Sequence, residues 1–222
     1  MMKIAQDLYF YPWESYTQNN CNSIMITGKV KALIDPGHQA LFSNLAGQLE
    51  RDGIDVKALD LIINTHSHPD HFEASASLAR HGARVAMHPD GENYLKKIGP
   101  AFSQALGQKM PDYNIDLNLV EGELELGEKQ LYVYHTPGHS PGSICLYWPD
   151  QKVLISGDLI FAQGVGRTDF PGGDGAKLKE NIKRMAELDI EILLPGHGPL
   201  VTGAEEVRRN FQFIQQVYFP ML

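Results

Sequence analysis

The residues best equipped for chemistry stand together in residues 64–74, NTHSHPDHFEA, where His66, His68, Asp70 and His71 follow directly on the apolar run ALDLII. Three more groups of the same kind sit in loops after strand-like runs further along: His139 in YHTPGHSPG, Asp158 after VLISG, and His197 in LLPGHGP. Any one of these histidines is better explained as a turn residue or a satisfied core group. The set of five imidazoles and two carboxylates, with no thiolate among them, is not. Seven ligands are too many for a closed tetrahedral structural zinc and suit two open catalytic ions. Rigid strand ends are good places to hold such ligands, because the backbone positions them before a metal arrives.

THSHPDH, TPGHSPGS, ISGDLIF and LPGHGP, in this order and at these separations, resemble the metallo-β-lactamase fold superfamily across essentially the whole chain. The resemblance implies an α/β fold, a four-layer αββα sandwich of two mixed β-sheets flanked by helices, with metals in a shallow cleft at one edge of the sheets. It also implies that His66, His68 and His139 hold one ion, that Asp70, His71 and His197 hold a second, and that Asp158 bridges them. Two divalent ions roughly 3.5–4 Å apart bring the pKa of a shared water towards neutrality, giving a hydroxide that attacks a carbonyl without a Ser or Cys nucleophile. The developing oxyanion is stabilised electrostatically. Asp70 is the candidate to orient the hydroxide and pass a proton to the leaving group. Zinc is the first expectation for both ions, and the same donors suit iron and manganese.

Residues 164–174, GVGRTDFPGGD, resemble a segment of short glyoxalase II-like thioester hydrolases and, in variant form, of persulfide dioxygenases. Both branches act on glutathione-type thiol conjugates. The resemblance therefore implies a hydrolase for a thioester or related ester of a small molecule, similar to hydroxyacylglutathione hydrolase. In the dioxygenase alternative His66, His139 and Asp158 hold a single Fe(II), a triad with open positions for oxygen and sulfur. HxHxDH persists in both branches and does not separate them. A metal-binding scaffold without turnover is a third class, disfavoured because no ligand of the pattern is missing. A secreted β-lactamase would bring a signal peptide and Cys or Ser in place of Asp158, and a flavodiiron reductase would carry Glu in place of Pro69. Glyoxalase II itself has a C-terminal helical extension that helps bind glutathione, whereas this chain stops shortly after His197, which weakens the expectation of glutathione specificity.

The elements that must position these ligands are legible in the periodicity. DLYFYPW, NSIMITG and KVKALIDPG read as strands, with Gly28-Lys29 a hairpin tip. ALFSNLAGQLERDG reads as an amphipathic helix stopped at Gly53, LDLIINT as a strand, FEASASLARHG as a helix, ARVAMHP as a strand, and PDGENYLKKIG as a short helix. ELELG, KQLYVYHT, GSICLYW and KVLISGD are strands, followed by the helix AKLKENIKRMAEL, the strand EILLPG, and a last helix whose apolar face is Val207, Phe211, Ile214 and Val217. Strands then helix, twice over, suggest two packed sheets rather than a βαβ parallel sheet.

Composition bounds the rest. The 222 residues, 43% hydrophobic and 21% charged, are ordinary globular usage and suit a single domain over 1–222. A formal net charge of -8 makes nucleic acid an unexpected partner. No long apolar stretch or secretory leader is apparent, so the expectation is a cytoplasmic protein without a membrane partner, acting on a small molecule. Its oligomeric state is not readable. Cys21 and Cys145 are expected as packed thiols.

Several residues carry two readings. Asp35 in ALIDPG is either an acceptor fixing an imidazole near the first-ion histidines or a turn-former before Pro36. Arg167 either binds a substrate carboxylate or pairs with Asp169, and Phe170 either walls the pocket or joins the core. His38, His81, His88 and His135 are expected at the surface or in packing. Residues 98–119 are expected to form a long substrate-selecting connection.

Overall fold

The computed structural model describes residues 1–15, 17–105 and 112–222. One sheet contains, in spatial order, β1 (Met2–Ala5), β2 (Leu8–Tyr11), β3 (Ser23–Ile26), β4 (Ala32–Ile34), β5 (Leu61–Ile63), β6 (Arg84–Met87) and β7 (Leu117–Asn118). Its first half is an antiparallel meander, whereas β4, β5, β6 and β7 pair in parallel. Helices bridge the parallel steps: α1 (Phe42–Arg51), then α2 (Pro69–Phe72) with α3 (Ser75–Ala79), then α4 (Pro89–Ala105). The sequence reading against βαβ units therefore fails for this half of the chain, because each short strand is followed by an amphipathic segment long enough to cross over.

The second sheet draws on β8 (Gly122–Leu126), β9 (Lys129–His135), β10 (Ile144–Trp148), β11 (Val153–Gly157), β14 (Ile192–Pro195) and β15 (Val201–Thr202), in the order β15-β14-β11-β10-β9-β8. A small hairpin, β12 (Ile160–Phe161) with β13 (Gly164–Val165), leaves the end of β11. Two further helices, α5 (Gly175–Ala186) and α6 (Ala204–Val217), cover the outer face.

Strand alternation builds the layers. Ile24, Ile26, Ile34 and Ile63 of the first sheet meet Ile144, Leu146, Trp148, Val153 and Ile155 of the second in one central core. The intervening residues point outward, Met25, Leu33 and Ile62 towards α1 and Cys145, Tyr147 and Leu154 towards α5 and α6. Both faces of the central strands are covered, which is why they read as continuous apolar runs. The architecture is the expected αββα sandwich of two mixed sheets.

Topology also decides where the chemistry lies. β4 and β5 are parallel, β11 and β14 are parallel, and β9 runs with β11 because each is antiparallel to β10. The loops after β4, β5, β9, β11 and β14 consequently open on shared edges, and these loops hold Asp35, the His66–His71 cluster, His139, Asp158 and His197. The two edges are stitched together by the Ile144 amide donating to the Thr65 carbonyl at 2.8 Å and the Asn22 amide donating to the Gly196 carbonyl at 2.7 Å.

Other departures from the sequence reading have local causes. The segment after the His cluster is two short helices, because α2 starts at Pro69 inside the motif. α4 continues through Gly99 and Pro100 to Ala105. Pro100 removes one helical hydrogen bond, yet Leu95, buried with Phe72 and Met87, holds the helix to the body. The expected connection over 98–119 thus loses its first part to helix and its end to β7, and residues 106–111 lie outside the described residues. In α6, Val207, Phe211 and Ile214 are buried, as is Asn210, which donates to the Phe161 carbonyl, but Val217, the last residue of the helix, is 42% exposed. Cys21 and Cys145 are buried free thiols, as expected.

Candidate active site

His66 and His68 leave β5 on a loop that folds into α2, which carries Asp70 and His71, so four potential ligands are delivered by one strand end and one helical turn. His66 Nε2 and His139 Nε2 lie 3.1 and 2.8 Å from His68 Nδ1. His197 Nε2 lies 3.3 Å from His71 Nε2 and 3.5 Å from Asp70 Oδ2. Asp158 stands between the two groups: Oδ2 is 3.5 Å from His139 Nε2 and 3.3 Å from His197 Nε2, and Oδ1 is 3.4 Å from His71 Nε2. Two nitrogens each about 2.0–2.1 Å from one tetrahedral ion stand about 3.3 Å apart. The second group has that spacing and the first is somewhat tighter, so His66, His68 and His139 could hold one ion and Asp70, His71 and His197 another, with Asp158 reaching both.

The hydrogen bonds behind the cluster set which ring nitrogen faces inward. His71 Nδ1 donates to Asp35 Oδ2 at 2.8 Å. The same carboxylate accepts the Thr65 amide at 2.7 Å and the Thr65 hydroxyl at 2.6 Å. With its proton committed, Thr65 Oγ1 is left to accept from His66 Nδ1 at 3.2 Å. His139 Nδ1 donates to the Arg167 carbonyl at 2.7 Å. The Nε2 lone pairs of His66, His71 and His139 therefore converge on the cluster. A buried carboxylate oxygen, Asp158 Oδ1, has no hydrogen-bond donor. Converging lone pairs around an unpaired buried carboxylate oxygen are a donor set that fits a cation.

Electrostatics divides the two groups. Burial pushes the His66 imidazolium well below its ordinary range, and burial together with His139 holds His68 down at about 3; burial also lowers His139. Burial opposes protonation of His71 and His197 too, but the Asp158 carboxylate outweighs it and raises both, aided at His71 by Asp35. Burial opposes the Asp158 carboxylate as well, and the imidazoles of His71 and His197 overcome this and hold it well below its usual range.

Two glycines make the packing possible. A side chain at Gly157, where φ is +48°, would place its Cβ 2.7 Å from Thr65 Oγ1. At Gly196 it would collide with Asp158 Oδ1 and the His71 ring.

The profile of the metallo-beta-lactamase superfamily matches residues 16–197, spanning every ligand described above. The chain belongs to this superfamily. A probable metallo-hydrolase of Methanocaldococcus jannaschii is 40% identical over 185 residues, covering 81% of this chain and 88% of that protein. The hydroxyacylglutathione hydrolase GloC of Haemophilus influenzae is 36% identical over 203 residues, covering 87% and 92%. Among solved structures, TTHA1623 in a di-iron-bound form superposes with a TM-score of 0.72 at 31% identity, covering 91% of this chain and 95% of that one. The protein is a metallo-hydrolase of the metallo-beta-lactamase superfamily, with His and Asp clusters able to bind metals.

The seven candidate ligands read from the sequence are all brought together in one cluster. Asp35 is an acceptor behind an imidazole, but the ring it holds directly is His71 of the second group; it reaches His66 of the first only through Thr65. Arg167 forms a bidentate pair with Asp169, at 2.7 and 2.6 Å, and its guanidinium lies 3.7 Å over the Phe170 ring. Phe170 walls the cavity.

Sequence reasoning missed Asn19, whose amide donates to Asp70 Oδ2 at 2.8 Å, and Tyr94, which faces His68 edge to ring at 6.2 Å. It also placed His38 at the surface or in packing, whereas His38 lines the cavity with Nδ1 2.8 Å from Glu73 Oε2. His88 and His135 pack as expected, their rings stacked 3.8 Å apart. No helix among the described residues is long and apolar enough to cross a membrane.

Proposed function

We propose that the protein hydrolyses the thioester of a small thiol, as its relative named hydroxyacylglutathione hydrolase does, using two divalent ions with zinc the first candidate. The observation that carries this reading is the sharing of Asp158 by two complete ligand groups at the floor of a cavity of about 610 Å³. A mononuclear dioxygenase would need only His66, His139 and Asp158. The second group is nearly as closely knit as the first, which favours two ions.

Bound there, the ions supply an acidified water and a Lewis acid for the thioester carbonyl. The chain's own residues do the rest. Asp35, Thr65 and the Arg167 carbonyl keep the imidazoles aimed, so little reorganisation accompanies the reaction. Asp70, steadied by Asn19, takes the proton of the attacking water and gives it to the departing sulfur. In balance, the oxygen of water bonds to the acyl carbon, the C–S bond breaks with its electron pair leaving on sulfur, and the products are a carboxylate, a thiol and a released proton. Tyr94 and Phe170 both face His68 edge to ring from the cavity wall.

Elemental analysis of the purified protein, paired with thioester hydrolysis and oxygen-uptake assays, tests the proposal. Two ions per chain with hydrolysis support it. One iron with persulfide-dependent oxygen uptake and no hydrolysis overturns it.

A further inference from the structure

The cavity has two chemically different flanks. Beside Asp70 stand Asn19, His38 and Glu73, all polar. Tyr94 and Phe170 face His68, and Leu95 and Ile98 from α4 and Pro171 from the 164–174 segment line the same cavity, as do Val165 and Phe161 of the β12–β13 hairpin, the latter 5.7 Å from the His197 ring. The rings of Tyr94 and Phe170 flank His68 edge to ring, at 6.2 and 5.8 Å. The two walls also meet: a Cβ at Gly172, where φ is +83°, would come within 2.7 Å of Pro141 Cγ and 3.3 Å of Tyr94 Cε2. Glycine there lets the segment close against α4 over Pro141. The result is a slot with apolar sides that opens onto the ligand cluster. Among the described lining residues Arg167 is the one Lys or Arg, and its guanidinium is engaged by Asp169 and stacked on Phe170.

We infer that this slot binds the acyl arm of the substrate, and that the arm is an uncharged, extended hydrocarbon chain rather than a short hydroxyacyl group. The inference rests on the thioester reading above. Asp70 protonates the departing sulfur, which puts the thiol arm on the Asn19, His38 and Glu73 flank and leaves the Tyr94, Ile98 and Phe170 flank for the acyl arm. Ile98 and Tyr94 set the selectivity for chain length. Each methylene buried in such a slot is worth about 0.8 kcal/mol, roughly fourfold in kcat/KM.

The test uses the metal-loaded full-length protein with S-acyl thioesters from acetyl to hexanoyl, carried on glutathione in one series and on N-acetylcysteamine in the other. The expected result is a rise in kcat/KM of roughly fourfold per methylene in whichever series turns over, with the hexanoyl-to-acetyl ratio collapsing at least tenfold in Ile98→Ser. A flat series, or a ratio unchanged in Ile98→Ser, overturns the inference while leaving the hydrolase reading intact. Calorimetric binding of hexanoate against acetate decides the same question without turnover. Hexanoate is expected to bind more tightly, with Ile98→Ser abolishing the difference; equal binding of the two overturns the slot. Absence of all thioester hydrolysis sinks the hydrolase reading alone, because the carboxylate titration still reports on the slot.

Discussion

Asp35 Oδ2 accepts the Nδ1 proton of His71 at 2.8 Å, across 36 residues of sequence, from a backbone position with φ +52° where non-glycine residues are uncommon. Both side chains are essentially inaccessible to solvent. One carboxylate thereby holds three donors, from His71 and twice from Thr65, and through Thr65 it also governs His66. Asp35→Ala is expected to weaken metal binding about 10–100-fold and to cost about 1–3 kcal/mol or more of stability through unpaired buried donors. Metal titration and urea unfolding check both. Asp35→Asn, with one acceptor oxygen for three donors, should fall between; full metal content and activity in Asp35→Ala would restore the view of Asp35 as a turn residue.

Acidification should remove the two ions in order. His71 and His197 have raised pKa values in the metal-free protein, so protons compete for them as soon as pH drops below those values. His66, His68 and His139 are lowered, His68 to about 3, and stay unprotonated further into acid. Since ligation requires neutral imidazole, the group of Asp70, His71 and His197 should empty first. Equilibrium dialysis at decreasing pH should show stoichiometry stepping from two towards one, and an order reversed by site-specific spectroscopy would contradict the electrostatic account.

Chelation should abolish hydrolysis, and re-addition of zinc, iron or manganese should restore it to different extents. Because Asp158 approaches His139, His71 and His197 at once, Asp158→Ala should deplete both ions rather than one. Loss of a single ion by elemental analysis would show that Asp158 serves only one group.

Gly196→Ala adds one methyl group and removes no ligand. That methyl would collide with Asp158 Oδ1 and the His71 ring, so metal affinity should fall about tenfold or more, an effect of the size caused by displacing supports of a ligand. Unchanged metal content would mean that the loop after β14 yields easily.

Arg167 and Asp169 are both more than half exposed. Arg167→Ala is therefore expected to leave stability nearly unchanged, because solvent screens an exposed ion pair. Denaturant unfolding measures it directly, and a larger loss would point to the stacking on Phe170 as the stabilising contact.

Much of the fold was legible because the central strands are covered on both faces and so appear as unbroken apolar runs, as in Ser23–Ile26 and Val153–Gly157. The two-residue strands β7, β12, β13 and β15 were not legible, since so short a pairing is imposed by its neighbours rather than by local pattern. α4 misled for the opposite reason: Gly99-Pro100 is a strong local stop signal, yet the helix continues through it to Ala105. Val217 follows the helical period, yet it is the last residue of α6 and is left exposed at the helix end.

The residue types alone determined which side chains could ligate metals, because donor chemistry belongs to each imidazole and carboxylate wherever the chain puts it, and the strand-like runs before them marked rigid ends. Only the tertiary structure decided how those donors divide around Asp158, that Asp35 answers to His71, and that Asn19, His38 and Tyr94 face the same cavity. These relations join residues as far apart as 126 positions, as at His71 and His197. They depend on strand order and loop closure, which bring distant segments within a few ångströms and leave no trace in local periodicity.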